Sequence, residues 1–284
     1  MQVIYKREIM EKFTILFVAM FLTSGIAFAQ NSATSTTTGN DNEAIIDQLF
    51  QSGASSDINQ ATTVQMGNDN KILAPNQVGA GNVLVIEQIG SENIIDRGEQ
   101  GFNGWPSFDG SIIIMQNGDG NGIWDSDQAG SNNALTINQD GDDFANIDAQ
   151  ISSEGGSGNK ITIDQLGGSN FVGEYSHNGA GAYQEGDGNE MDIDQAGGAQ
   201  AGVTDYLVSG ATEKFFRGSI ENGQGLIQFG NNNMLTISQN GASTVTFMVQ
   251  EGSSNIATVN QTDDLNTAST LQIGDFNAAG ITQN

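Results

Sequence analysis

Few residues in this chain could do covalent chemistry. Histidine occurs once, at His177, and cysteine not at all. No Cys–His pair can form, and a Ser–His–Asp relay would hang on one histidine in the loose stretch 170–183. Carboxylates are plentiful, and a pair such as Asp192 and Asp194 could serve hydrolysis. Those two alternate with Met191 and Ile193, however, so on a strand they occupy the face opposite the apolar residues and read as solvating charge. One stretch has cation-loop spacing: Asn117, Asp119, Asn121 and Asp125 stand at positions 1, 3, 5 and 9, with Gly122 at 6. Gln128 occupies position 12 in place of the bidentate glutamate, and no helical pattern flanks the stretch. We assign the chain no catalytic, metal or cofactor residue.

The side chains with the strictest spacing are amides. Gln228, Gln239, Gln250, Gln261, Gln272 and Gln283 stand eleven residues apart without a slip. Asparagines Asn233, Asn255, Asn266 and Asn277 keep the same beat, each six residues ahead of the next glutamine. The pattern extends back through Asn82 and Gln88, Asn133 and Gln139, Asn159 and Gln165, and Asn189 and Gln195. Residues two apart share a face of a strand, so Asn189, Met191, Ile193 and Gln195 point one way. Glu190, Asp192 and Asp194 point the other way, to solvent. Amides on the inner face have a purpose if each strand stacks in register on a like strand. The spacing is then about 4.8 Å, and Asn and Gln can hydrogen-bond up the stack.

The elements that must position these amides are short strands joined by tight turns. A fixed short period signals a repeat architecture, and the 38 glycines and two prolines suit strands and turns. The expected fold is all-β: a β-solenoid or β-arch stack of strand–turn units of about eleven residues. Roughly twenty units fit residues 42–284, with inserts near 102–109, 153–158 and 170–183. Glu99 takes a glutamine place in this reading, and Tyr206 and Arg217 mark worn units between Gln195 and Gln228.

The chain opens differently. Lys6, Arg7 and Lys12 precede an apolar run from Phe13 to Leu22, and Ala27-Phe28-Ala29 supplies small residues for cleavage. Residues 1–29 read as a secretory signal peptide, and the run is short for a membrane span. Residues 30–41, rich in Ser and Thr, read as a flexible leader. Without residues 1–29 the chain has 5 basic and 32 acidic residues, a net charge of −27. That balance disfavours nucleic acid as a partner, because phosphate contacts need a basic patch.

The hexapeptide Gln-x-Gly-x-x-Asn recurs at Gln65–Asn70, Gln77–Asn82, Gln88–Asn93, Gln128–Asn133, Gln184–Asn189, Gln228–Asn233 and Gln250–Asn255. In this it resembles the curlin repeat, and the chain looks like a subunit of curli, the functional amyloid fibres of bacterial surfaces. The resemblance implies two successive units per coil, about 22 residues. It also implies export through the periplasm and a curli-type outer-membrane secretion machinery. Polymerisation with itself and other curlin subunits would follow on the cell surface, with roles in adhesion and biofilm matrix. A monomeric secreted β-solenoid adhesin, binding a surface or glycan through its inserts, is the alternative. An ice-binding face would need unbroken threonine files. Thr136, Thr162, Thr236 and Thr258 share a position, but Val85 and Asp192 interrupt it.

Overall fold

The computed structural model describes residues 31–50, 58–101, 106–141, 146–151, 156–167, 170–172, 182–197, 199–201, 226–242 and 244–284. Every strand pairing among them is parallel. The chain winds between two sheets, laying one strand on each per coil. The first sheet has ten strands in chain order: Asn31–Thr38, Asn59–Met66, Val83–Ile89, Ser111–Asn117, Ala134–Asp140, Lys160–Leu166, Glu190–Ala196, Met234–Asn240, Ile256–Gln261 and Ala278–Gln283. This is a β-solenoid.

The second sheet has fourteen segments, yet they make only nine levels. Ser107–Phe108 and Gly130–Ser131 are short extensions that pair beyond the strand ends. Three levels are strands split in two: Glu43–Ala44 with Asp47–Phe50, Phe171–Val172 with Ala182–Glu185, and Gln200–Ala201 with Leu226–Phe229. The other six are Lys71–Ala80, Ile94–Gln100, Gly122–Gln128, Asn146–Ile151, Val245–Glu251 and Thr267–Ile273.

Alternation places the core between the sheets. Leu84, Ile112, Leu135, Ile161, Met191, Leu235 and Ala257 form one fully buried column of the first sheet, and Ile86, Ile114, Ile137, Ile163, Ile193, Ile237 and Val259 form the next. Such a core is one side chain deep on each side. Hydrogen-bonded amides supply the rest of the interior.

Three expectations are corrected here. Residues 30–41 are not all leader. Asn31–Thr38 is a strand in register with Asn59–Met66, because β-branched threonines favour extended backbone and Asn31, Ala33, Ser35 and Thr37 fall opposite Asn59, Ala61, Thr63 and Gln65. Nor does the 33-residue step from Gln195 to Gln228 count off three rungs of the stack, since Gln184 bonds Gln228 and Gln195 bonds Gln239 directly. Ala201 pairs with Thr246 and Leu226 with Met248, so the two flanks are halves of one strand and the 33-residue spacing is coincidental. Tyr206 and Arg217 themselves lie outside the described residues.

The third correction concerns Glu99. Gln100, fully buried, takes the inner position, while Glu99 lies opposite Asn76. Asn70 to Gln77, Asn93 to Gln100 and Asn121 to Gln128 each span one residue more than the common step. In the first two strands, adjacent residues (Leu73 and Ala74, Asp96 and Arg97) both stay off the buried face. That is the signature of a β-bulge. The bulge ends at the following level, where the register shifts between Ile123 and Asp125.

Candidate assembly surface

Stacking like on like brings the glutamines into continuous ladders. On the first sheet each Nε2 donates to the Oε1 one coil on. Gln65 bonds Gln88 (2.9 Å), Gln88 bonds Gln116 (2.8 Å), and Gln116 bonds Gln139 (2.8 Å). The ladder continues through Gln165 (3.1 Å), Gln195 (2.8 Å), Gln239 (3.0 Å), Gln261 (2.9 Å) and Gln283 (2.8 Å). The second sheet repeats this from Gln48 through Gln77 to Gln100, and from Gln184 through Gln228 and Gln250 to Gln272. Where residues separate successive rungs by 22 or 23, one rung equals two sequence units. The longer steps, up to 44, absorb the inserts.

The second ladder is interrupted between Gln100 and Gln184, at a place the eleven-residue count hides. Gln150 lies opposite Asp127, so Ile151 takes the level between Gln128 and Gln184. The amide oxygens of Gln128 and Gln184 are both buried without a hydrogen-bond partner.

The asparagines work otherwise. Each Oδ1 accepts the backbone N–H of the asparagine one coil on, from Asn133 through Asn159, Asn189, Asn233 and Asn255 to Asn277, at 2.9–3.0 Å. Nδ2 meanwhile donates to an arc carbonyl, as from Asn189 to Gly230 (2.7 Å) and from Asn233 to Gly252 (2.9 Å). Asn82 is tied to Asn59 in the same way, and Gly110 N donates in turn to Asn82 Oδ1, but glycine has no side-chain amide to carry the column on. Asn266 stands apart from these columns, donating locally to Asp263 O.

Between ladders the chain turns through a three-residue arc that sequence reading only half resolved. Its glycine packs backbone to backbone: a Cβ on Gly67 would lie 1.8 Å from Gly90 O, and one on Gly230 2.0 Å from Gly252 O. The next residue clamps the coil before it. Asp119 accepts from Ser91 N (2.6 Å), Asp187 from Ser157 N (2.8 Å), Asn231 from Asp187 N (2.9 Å) and Asp275 from Ser253 N (2.7 Å). The signal was present as recurring Gly-Asp and Gly-Asn pairs. The third residue is left-handed, and Asp69, Glu92, Asn132, Asn232 and Ser254 fill it.

Outward residues are less organised. Lys160 pairs with Glu190 (3.1 Å) on the exposed face of the first sheet. Asp192 and Asp194 are held above the usual carboxylate range. Burial is the main cause, with repulsion from Asp164 on both and from Glu190 on Asp192, while Lys160 opposes the shift at Asp192. The Asn117–Gln128 stretch forms no single loop. Asn117 ends a strand of the first sheet, Asn121 turns inward to Asn93, and Asp119 clamps Ser91. On the second sheet Ile227 and Val249 are buried despite their outward parity. His177 and Trp105, and the side chains of Trp124, Val245 and Phe247, lie outside the described residues.

At its two ends the stack is unequal. Asn31–Thr38 carries Ala33, Ser35 and Thr37 at its inner positions, all exposed. Ala278–Gln283 instead continues the repeat, with Ala279, Ile281 and Gln283 half-buried and Ile281 packed on the core.

The family model described as the curlin associated repeat matches residues 156–197 and 230–262. No curated protein and no solved structure matches the chain significantly.

Proposed function

We propose that this chain, which carries curlin-associated repeats, is a self-assembling subunit of an extracellular curli-like amyloid fibre. One observation carries the reading: the amide ladder of the first sheet runs unbroken from Gln65 to Gln283 and reaches an end strand whose outer edge no described residue covers. An open parallel edge with in-register amides is a template for another chain, the hazard that most β-proteins suppress. Export by a signal peptide and a curli-type secretion machinery, co-assembly with other curlin subunits, and service in adhesion and biofilm matrix follow from the same reading. The test is seeded growth of purified protein. Fibres that elongate from added seeds support it, and a protein that stays monomeric with seeds present overturns it.

A monomeric secreted adhesin remains the second reading, and one observation favours it. Val172 and Ala201 pair on neighbouring coils, and each immediately precedes a long stretch outside the described residues, 173–181 and 202–225. Two long inserts attached at paired positions suit a binding surface.

A further inference from the structure

We propose that Asn31–Thr38 is a stand-in strand, displaced when Ala278–Gln283 of a second copy docks on Asn59–Met66. The inference rests on the fibre reading above and specifies its junction.

The level count requires a choice. With ten levels in the first sheet and nine in the second, simple head-to-tail stacking leaves every junction one strand short on the second sheet. If Ala278–Gln283 takes the level of Asn31–Thr38, both sheets run on without a gap. Thr267–Ile273 then meets residues 43–50 of the next copy while Ala278–Gln283 meets Asn59–Met66.

The ladder chemistry points the same way. Bonds run from Nε2 to Oε1 toward the C-terminal end, so the ladder has a spare acceptor at one end and a donor at the other. Gln65 is fully buried, and its Oε1 has no hydrogen-bond partner, because Thr37 sits opposite it. Gln283 lies in the same column, and its Nε2 donates to Thr267 O alone among the described contacts. Docking in register places Asn277, Ala279, Ile281 and Gln283 of one copy over Asn59, Ala61, Thr63 and Gln65 of the next. Gln283 Nε2 then meets the orphaned Gln65 Oε1, and Ile281 replaces the hydroxyl of Ser35 over the core.

The second sheet agrees. Continuing its ladder from Gln272 to Gln48 sets Ala268 beside Ala44. It also brings together Ile273 and Leu49, which are 63% and 61% exposed in the single copy. Both ends gain apolar burial where each now exposes it.

The chain has no cysteine, so engineered thiols report cleanly. Ser35 and Thr63 face each other in register, their hydroxyls 2.9 Å apart, a placement that suits a disulfide between neighbouring strands. In the full-length chain carrying Ser35→Cys with Thr63→Cys, oxidation should stop seeded elongation, and reductant should restore it. Equal elongation in both states overturns the proposal and leaves the fibre reading standing. In a second arm, single variants are mixed during growth and then oxidised. Ile281→Cys should cross-link to Thr63→Cys of another copy. Cross-linking of Ile281→Cys to Ser35→Cys instead, or no cross-link with either, overturns the displacement. Wild-type protein that never elongates overturns the fibre reading itself.

Discussion

Gln195 Nε2 donates a 3.0 Å hydrogen bond to Gln239 Oε1 although the two stand 44 positions apart in the chain. Both ladders therefore pass directly from one coil to the next here, Gln184 to Gln228 and Gln195 to Gln239, while residues 202–225 lie outside the described residues. Only one residue, Phe247, separates the pairing partners of Ala201 and Leu226. Replacing residues 202–225 with a single threonine should restore an unbroken strand. Circular dichroism is expected to keep its β signature with a cooperative melt, and loss of that melt would mean the segment is part of the fold.

Inner amides should matter more than outer acids. Gln239→Ala leaves the Gln195 amide without its ladder acceptor in a buried site, a cost of about 1–3 kcal/mol. Asp192→Asn lies on the outward face and should shift stability by less than about 0.5 kcal/mol. Denaturant midpoints compare the two. Equal losses would contradict the assignment of faces.

The break in the second ladder gives an unusual expectation. Ile151 stands level with Gln128 and Gln184, and Ile151→Gln supplies a donor for the orphaned Gln184 Oε1. An apolar-to-polar change at a level flanked by buried residues ordinarily destabilises. Here the repaired hydrogen bonds, about 0.5–1.5 kcal/mol each, should hold the denaturation midpoint or raise it. A fall of several kcal/mol would contradict the ladder account.

Much of this was legible because strand period and repeat period are both short. The beat from Gln228 to Gln283 fixes which residues face inward, and the structure puts Asn233, Leu235, Ile237 and Gln239 there, buried. What stayed hidden depends on neighbours far along the chain. Gln100 supplants Glu99 only because three successive coils share a bulge, and a bulge leaves no mark on composition. Asn31–Thr38 has Ala33 as its one apolar residue, and only the facing strand reveals its register. The residues after the arc glycines were invisible as clamps because each bonds to the preceding coil.

Acid should favour the folded stack. Asp192 and Asp194 hold their protons more tightly when folded than when unfolded, chiefly through burial. Raised carboxyl values make stability fall as pH rises through the carboxylate range, and acidification removes that penalty. The chain's large negative charge acts in the same direction by self-repulsion. Unseeded assembly should show a shorter lag at pH 5 than at pH 8, and Asp192→Asn with Asp194→Asn should lessen the difference. An unchanged pH dependence in the double variant would place the effect on net charge alone.

Glycines should divide by what their missing side chain would meet. Gly67 has φ 120° and a Cβ there would lie 1.8 Å from Gly90 O, so Gly67→Ala must open the stack. A Cβ on Gly280 meets nothing, and Gly280→Ala should leave the melt of the isolated chain unchanged. Similar melts for the two variants would mean the arcs do not pack backbone to backbone.

Seeded growth followed by fibre diffraction tests the central claim most directly. Purified protein at neutral pH is given preformed fibres, and the product is aligned in the X-ray beam. The account predicts elongation without a lag and a meridional reflection at about 4.8 Å, the spacing between strands stacked along the fibre axis. Protein that remains monomeric beside its seeds, or fibres whose strands run along the axis, would contradict it.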